Sequence, residues 1–255
     1  MTNKLDFLID YLLSERKDVG DIRIPDNNND KFRLYRSLVN IRPAVKADDS
    51  FLQTEDEYLR ELTESKGITD IADLTLIEDG VYLWQGDITT LKCGAIVNAA
   101  NSGMTGCWQP CHSCIDNCIH TFAGVRLRYE CGQLMEKQGH EEPTGQAKIT
   151  KAYNLPCDYV IHTVGPIVQG QLTEEHCRLL ESSYKSCLDV AVQNGIGSIA
   201  FCCISTGVFG FPQKEAAEIA ARTVREYRQK HDIQVVFNVF KEDDYEIYKG
   251  LLGRN

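Results

Sequence analysis

The chain has 255 residues, with 27 Lys and Arg against 37 Asp and Glu, so its formal charge is −10. Hydrophobic residues make up 43% of the sequence and charged residues 25%, which excludes a disordered or collagen-like chain. The length fits one large domain or one domain with an extension. The acidic balance argues against a broad basic surface for DNA or RNA, so no nucleic-acid partner is expected. The acidic net charge does not exclude a local pocket for one anionic ligand.

The cysteine count of 11 is the unusual number, and because it is odd the thiols cannot all pair internally. The N-terminal stretch has acidic residues inside its apolar run and lacks a small-residue cleavage site, so it does not resemble a signal peptide. No stretch is long and apolar enough to suggest a membrane span or a membrane partner. We therefore expect a cytoplasmic protein with mostly free thiols. In that setting a tight cysteine group indicates a metal site or a nucleophile.

Residues 1–75 are interpreted as an N-terminal helical extension. Apolar residues recur at helical spacing in 5–16 and 49–65, with charged residues between them. The Asn-Asn-Asn-Asp start of the stretch 26–42 suggests a further capped helix. The expected role of the extension is packing against the main domain, residues 76–255.

The main domain alternates strand-like runs with helical stretches, which predicts an α/β fold with helices on both faces of the sheet. The runs rich in Val, Ile and aromatic residues are 81–88, 95–100, 147–153, 159–165, 198–205 and 234–240. The predicted helices are 115–137, 173–194, 213–230 and 243–251. A Pro-containing turn joins two of the runs as adjacent strands, so the central sheet is predicted to be mixed.

Polar residues follow two of the predicted strands, where open α/β sheets bind their ligands. Asp87 could cap the next helix, or it could accept the exocyclic amine of a base such as adenine. Asn101 could stabilise a turn, or its amide could meet sugar hydroxyls as donor and acceptor. Neither segment decides between these alternatives alone.

A third segment, 205–210, joins a buried strand to a helix. Such a loop can present backbone N–H groups to an anion, and the helix dipole adds to the attraction. Gly207 and Gly210 permit positive φ and close backbone approach. The alternative is a plain strand-to-helix turn with structural glycines.

Taken in order, these segments resemble the macrodomain family. The matching motifs are Gly-Asp-Ile-Thr at 86–89, Ile-Val-Asn-Ala-Ala-Asn at 96–101 and Ile-Ser-Thr-Gly-Val-Phe-Gly-Phe-Pro at 204–212. Further segments at 123–132 and 144–150 fit the same pattern, and the resemblance covers roughly residues 75 to 255. It implies a three-layer α/β/α fold with a mixed sheet that binds ADP-ribose.

The resemblance also implies roles for individual residues. Asp87 would accept from the adenine amine, the Ile88 backbone would help to hold the adenine, and Asn101 would contact the distal ribose. The step that reads Val-Asp-Gly in many macrodomains is Ile115, Asp116 and Asn117 in this chain. The residues expected around the diphosphate are Ser205, Thr206, Gly207, Val208 and Phe209, and Phe209 would also lie against the distal ribose.

A loop rich in Cys and His stands where ordinary macrodomains carry a glycine run. Thiolate and imidazole suit zinc, but from the residues alone a zinc site and free thiols are both open. The loop resembles that of zinc-containing microbial macrodomains found alongside sirtuin-like ADP-ribosyltransferases. This implies a Zn²⁺ cofactor on Cys107, His112 and Cys114. Cys111 could exchange for a ligand, and Cys118 could be a fourth ligand, although we assign it to the core.

Three protein ligands would leave one zinc position open, so the ion could orient the ribose or lower the pKa of a bound water. Asp116 is the expected general base or water-positioning residue, with Asn101 beside it as the second catalytic residue. The alternative for Asp116 is a first-turn carboxylate favoured only by the helix dipole. His162 is interpreted as a core residue, and the spacing of His120 does not demand ligation.

The leading functional hypothesis is a zinc-dependent hydrolase that removes mono-ADP-ribose from a protein side chain. The zinc-containing class implies an ADP-ribosylated lipoyl-carrier protein, similar to the glycine cleavage H protein, as the partner. One alternative is a reader that binds ADP-ribose without cleaving it, since the fold does not settle function. Another is an O-acetyl-ADP-ribose deacetylase.

Overall fold

The computed structural model describes residues 3–16 and 22–253. Residues 1–2 and 17–21 of the predicted extension, and 254–255 of the predicted main domain, lie outside the described residues. The three predicted N-terminal helices are confirmed as α1 (Lys4–Ser14), α2 (Asn28–Ile41) and α3 (Asp49–Lys66). The Asn27 side chain caps α2 by accepting from the backbone N–H of Asp30 at 2.9 Å.

All six predicted strands of the main domain are present, and the sheet is mixed as predicted. The strands in chain order are β1 (Thr69–Asp70), β2 (Leu76–Glu78), β3 (Val81–Gln85), β4 (Leu91–Lys92), β5 (Ala95–Ala99), β6 (Ala147–Lys151), β7 (Tyr159–Thr163), β8 (Ser198–Phe201) and β9 (Gln234–Val239). Seven of them form one sheet in the order β2-β3-β9-β8-β5-β7-β6. Only the two edge strands run antiparallel to their neighbours. The short strands β1, β2 and β4 were not predicted, because two or three residues carry no periodicity.

The main domain holds five helices: α4 (Ile115–Ala123), α5 (Val125–Gln138), α6 (Glu174–Gln193), α7 (Gln213–Arg228) and α8 (Glu242–Leu252). The prediction of one continuous helix over 115–137 is wrong, because Gly124 interrupts it with φ of 91°. A side chain at Gly124 would lie 2.6 Å from a carboxylate oxygen of Glu55. The break therefore makes room for a residue of the extension, which no local pattern in 115–137 could show.

The helices lie in layers on both sides of the sheet, so the three-layer α/β/α architecture is confirmed. Helices α6, α7 and α8 pack together on one face, and α4 and α5 cover the other. The core between them is dominated by Ile, Val, Ala and Leu, with Ile96, Val97 and Ile161 fully buried in the central strands. Of the helices in the described ranges, none is both long and apolar enough to cross a membrane.

The extension packs its own small core against the outer side of α4 and α5. A buried carboxylate, Glu55 of α3, makes the connection. The Tyr35 hydroxyl donates to Glu55 Oε1 at 2.6 Å, and the backbone N–H of Val125 donates to Oε2 at 3.0 Å. Glu55 therefore caps the first turn of α5 from another part of the chain. Burial raises the pKa of Glu55 to about 7, although both hydrogen bonds favour the carboxylate.

The raised pKa of Glu55 predicts a pH-dependent contribution to stability. The folded protein holds the Glu55 proton up to about pH 7, whereas the unfolded chain releases it near pH 4.5. The contribution is therefore complete below pH 4.5 and is lost as the pH rises through 7. We expect Glu55→Gln to remove this dependence, so that the free-energy difference between wild type and variant changes over that interval in chemical denaturation. Glu64→Gln, exposed on the same helix, is the control. If the difference in the free energy of unfolding from wild type did not change with pH for either variant, the prediction would be contradicted.

Candidate functional site

The parallel strands bring the predicted ligand-binding segments to one edge of the sheet. Strands β3, β9, β8 and β5 are adjacent and parallel, so their carboxyl ends meet there. Asp87 follows β3, the loop 202–212 follows β8, and Asn101 follows β5. The topology thus places Asp87, the loop 202–212 and Asn101, which the sequence analysis expects at the base, the diphosphate and the sugar, in that spatial order along one edge of the sheet.

Asp87 fulfils the capping role that the sequence proposed, and its second carboxylate oxygen takes no part in the cap. Its Oδ1 accepts from the Thr89 N–H at 3.0 Å and the Thr89 hydroxyl at 2.6 Å, capping a short 3-10 turn, Ile88–Thr90. Its Oδ2 faces outward and pairs with Lys66 Nζ of the extension at 2.9 Å. Burial alone would raise the pKa of Asp87, but the contacts with Thr89 and Lys66 outweigh it and lower the pKa. The carboxylate is therefore ionised and can accept hydrogen bonds.

Two further residues define this end of the cleft. Ile88 is buried as a whole residue, so its side chain presents no surface to a ligand. Phe240 directly follows β9, the strand paired with β3, and is 76% exposed. An exposed aromatic ring at the end of this strand offers a flat apolar surface to a base. The predicted strand 234–240 ends at Phe240, but the sequence assigned no role to its ring.

Asp116 lies in the first turn of α4 and is held by two asparagines from the end of β5. Asn98 Nδ2 donates to Oδ1 at 2.8 Å, and Asn101 Nδ2 donates to Oδ2 at 3.2 Å. Asp116 is only 4% exposed. Burial raises its pKa to about 6, against the hydrogen bond from Asn98, the charge of Arg128 and the hydrogen bond from Asn101. The structure thus brings together the predicted pair Asp116 and Asn101, and it adds Asn98, which sequence reasoning quoted but did not assign.

Asn101 is also fixed by its own loop. Its Oδ1 accepts from the Gly103 N–H at 3.0 Å, and its Nδ2 donates to the Gly106 carbonyl at 3.1 Å. The turn-stabilising alternative is therefore present alongside the contact with Asp116. A side chain held from both ends cannot swing away, so its amide has a fixed position at the cleft.

The loop after β8 has the features of an anion site. In the described chain, the amides of Gly207, Val208 and Phe209 donate to no protein acceptor. Val208 at the tip is 78% exposed. Three consecutive amides at an exposed tip, with helix α7 beginning a few residues later, are available as donors to an anion. Thr206 stands before them, and its hydroxyl donates to the Cys203 carbonyl at 3.0 Å.

Positive φ occurs at Gly210, at 70°, but not at Gly207. Ser205 instead adopts positive φ, at 65°, and is buried with its Oγ unpartnered. The backbone of Gly165 in the neighbouring loop comes so close to this serine that a Cβ at position 165 would overlap Ser205 Oγ. Of the two glycines that permit positive φ, Gly210 therefore uses that freedom and Gly207 does not, and Ser205 makes a further sharp turn against a glycine from another segment.

Cys107, His112 and Cys114 come together as predicted. Their ligand atoms all lie within 4.8 Å of one another, and Cys107 Sγ is 3.7 Å from His112 Nδ1. A tetrahedral zinc ion with bonds of about 2.3 Å to sulfur and about 2.1 Å to nitrogen holds such atoms about 3.6 Å apart. Burial raises the pKa of Cys114 to about 12, and the neighbouring Cys107 adds to this. The donor set fits zinc, and a bound cation would favour the thiolate form of Cys114.

The other two cysteines of the loop point elsewhere. Cys111 Sγ donates to the Arg33 carbonyl at 3.3 Å, and Cys118 Sγ accepts from Arg36 at 3.5 Å while packing at the margin of the core. Neither belongs to the group of three ligand atoms among the described residues. The described residues therefore supply three protein donors, one fewer than a tetrahedral zinc ion takes.

A second close group, His120, Cys131 and His162, is buried behind Asp116. Both His162 nitrogens already contact polar partners, Asn98 at 3.1 Å and Thr150 at 2.9 Å. Burial lowers the pKa of His162 to about 3, so the ring is neutral. His162 is thus the core histidine that the sequence indicated.

The close packing behind the anion loop predicts a stability effect. Gly165→Ala would push a methyl group into Ser205 Oγ and bring it within 2.7 Å of Ile204 Cγ2. We expect a loss of about 1–3 kcal/mol in the free energy of unfolding, measured by denaturant titration. Gly197→Ala is the matched control, since nothing lies within 4 Å of its Cβ position. Equal stability of the two variants would contradict the described packing.

Comparison with known proteins agrees with this geometry. The family model described as "Macro domain" matches residues 97–220. A protein from Treponema medium named protein-ADP-ribose hydrolase is 57% identical over 97% of both chains. A protein of the same name from Staphylococcus aureus is 47% identical over 99% of this chain and 96% of its own.

Two further matches extend the comparison. A Fusarium oxysporum protein named probable bifunctional ADP-ribose hydrolase/ADP-ribosyltransferase is 42% identical over 88% of this chain and 41% of its own length. The solved structure of a Trypanosoma brucei macrodomain in complex with ADP-ribose aligns with a TM-score of 0.66 and 29% identity. It covers 86% of this chain and 95% of that one.

Proposed function

Since this chain belongs to the macrodomain family, we propose that it is an enzyme that removes ADP-ribose from modified proteins. The observation that carries the proposal is the position of Asp116, a buried carboxylate that contacts Asn101 and lies two residues after the metal-site residue Cys114. Relatives of 57% and 47% identity over nearly the whole chain carry the name protein-ADP-ribose hydrolase. A protein that only bound ADP-ribose would not need a carboxylate and a metal-binding group at the same place.

The cleft offers contacts to the adenine, the diphosphate and the distal ribose of ADP-ribose. Asp87 Oδ2 accepts from the adenine amine, and the Phe240 ring supports the base. The amides of Gly207, Val208 and Phe209 donate to the diphosphate. These backbone donors take the place of basic side chains, which suits a chain of charge −10. Asn101 binds the distal ribose, and this places the anomeric carbon beside Asp116.

Asp116 is positioned to act on the water that attacks the anomeric carbon. Cleavage there passes through an oxocarbenium-like transition state, so a fixed carboxylate helps by orienting water, taking up its proton and stabilising positive charge. The donors Asn98 and Asn101 leave each carboxylate oxygen a free lone pair. A zinc ion on Cys107, His112 and Cys114 would supply Lewis-acid polarisation of a ribose or water oxygen.

The finer proposal concerns the substrate. We infer an ADP-ribosylated lipoyl-carrier protein of the glycine cleavage H type, modified by a sirtuin-like transferase. Resemblance to the zinc-containing microbial class supports this, and so does the Fusarium relative, whose name joins a hydrolase to an ADP-ribosyltransferase in one chain. A cytoplasmic location fits the eleven free thiols.

Replacing the carboxylate tests the chemistry. We expect Asp116→Asn to slow ADP-ribose release from the modified carrier protein by about 10²–10⁴-fold, because the amide cannot take up a proton. Calorimetric affinity for free ADP-ribose should stay within about tenfold. Asp158→Asn, exposed at the opposite, amino end of β7, is the control. A wild-type protein that binds ADP-ribose but releases none would be a reader, and the proposal would fail.

Removing a metal-site sulfur tests the zinc. We expect Cys114→Ala to lose bound zinc, measured by elemental analysis, and to lose release activity on the same samples. Cys177→Ala, a partly exposed thiol on α6, should retain both. Full release by a zinc-free Cys114→Ala protein would refute the zinc dependence and leave the hydrolase proposal standing.

A further inference from the structure

The three metal-site residues lie in a segment without helix or strand, residues 107–114, here called the metal loop. Cys114 is the residue that directly precedes α4, but Cys107 and His112 have no regular backbone to hold them. Their positions therefore depend on hydrogen bonds from outside the loop. A ligand set that is fixed in advance binds its ion more tightly than one that must be ordered by the ion.

One side chain of the extension reaches into this loop. Arg36 of α2 donates from Nη2 to the His112 carbonyl at 2.6 Å. The same guanidinium donates to Asn117 Oδ1 from Nε at 3.1 Å and from Nη2 at 2.8 Å. It thus ties the backbone of one metal-site residue to the first turn of α4, where Cys114 and Asp116 lie.

Asn117 connects Arg36 by hydrogen bonds to the first half of the metal loop. This fully buried side chain accepts from Arg36 and donates from Nδ2 to the Gln109 carbonyl at 2.9 Å, with a longer contact to the Cys107 carbonyl at 3.5 Å. A second residue of α2, Asn40, accepts from the Cys111 N–H at 2.9 Å. The loop is therefore held at its start, middle and end by one connected network.

The polar partners of Arg36 in the described structure are a carbonyl, an amide and a thiol, and no carboxylate of the described residues pairs with its guanidinium within 4.0 Å. The hydrogen bonds of this half-buried side chain are therefore directed to the metal loop and to α4 rather than to an acidic residue.

We propose that Arg36 is a positioning residue for the metal site, so that the helical extension completes this site rather than only packing against the main domain. The proposal rests on the proposed function for the identity of the metal alone. It assigns to α2 the task of holding His112 and, through Asn117, Cys107 at the separation that the ion requires. No local motif in 28–41 indicates this role.

The test measures metal affinity rather than activity. We expect Arg36→Met, which keeps the apolar stem but removes all donors, to weaken zinc binding by about 10–100-fold in competition with a chromophoric chelator. Arg36→Lys should lie between Arg36→Met and wild type, since it keeps the charge but cannot bridge two acceptors. Arg60→Met, exposed on α3, should match wild type within about twofold.

Substitution with Co²⁺ supplies a second readout that loss of packing alone would not change. We expect the visible absorption bands of the Co²⁺ protein to shift in Arg36→Lys and Arg36→Met but not in Arg60→Met, because the ligand geometry is altered. If Arg36→Met does not fold, Arg36→Lys carries the same comparison. Wild-type affinity and spectrum in a folded Arg36 variant would overturn this proposal alone. A wild-type protein that binds neither metal would overturn it together with the zinc part of the proposed function.

Discussion

The first turn of α4 is the constraint on which the rest of the site depends. Cys114 precedes it, and Asp116 and Asn117 lie within it. In the proposed function, Cys114 serves the metal loop and Asp116 the reacting carbon, while Asn117 contacts the extension. Because Cys114 caps the turn that holds the other two, backbone hydrogen bonds fix their spacing, and displacing one displaces the others.

Burial makes that turn both useful and costly. Asp116 is removed from water, and its two asparagine donors limit the rise of its pKa. The same region holds the neutral ring of His162 and the ring of His120, whose nitrogens make no hydrogen bond although Nε2 lies 3.6 Å from Asp116 Oδ1. Both histidines are buried in the core. Such a polar interior stabilises the fold less than apolar packing would, but it fixes the direction in which the Asp116 carboxylate points. The polar interior therefore lowers the stability of the fold but fixes the orientation of Asp116, the residue proposed to act on water.

The sequence predicted the main-domain strands, the mixed sheet and the gathering of Cys107, His112 and Cys114, because each leaves a local or familiar pattern. It did not predict the break at Gly124, since the cause is Glu55, about seventy residues away. It also missed Lys66 beside Asp87 and Arg36 beside His112, both from the extension. Contacts between distant segments leave no periodicity, so a charged residue on a helix is indistinguishable from a solvated one until the fold is known.

The central claim is that one site binds ADP-ribose and, with metal present, cleaves it from a protein. Its most direct test is single-turnover release from the modified carrier protein by wild-type enzyme, before and after metal is stripped with a chelator and restored as zinc. The account predicts that release is lost on stripping and recovered with one equivalent of zinc, while the protein stays folded. Undiminished release by the stripped, folded protein would contradict it.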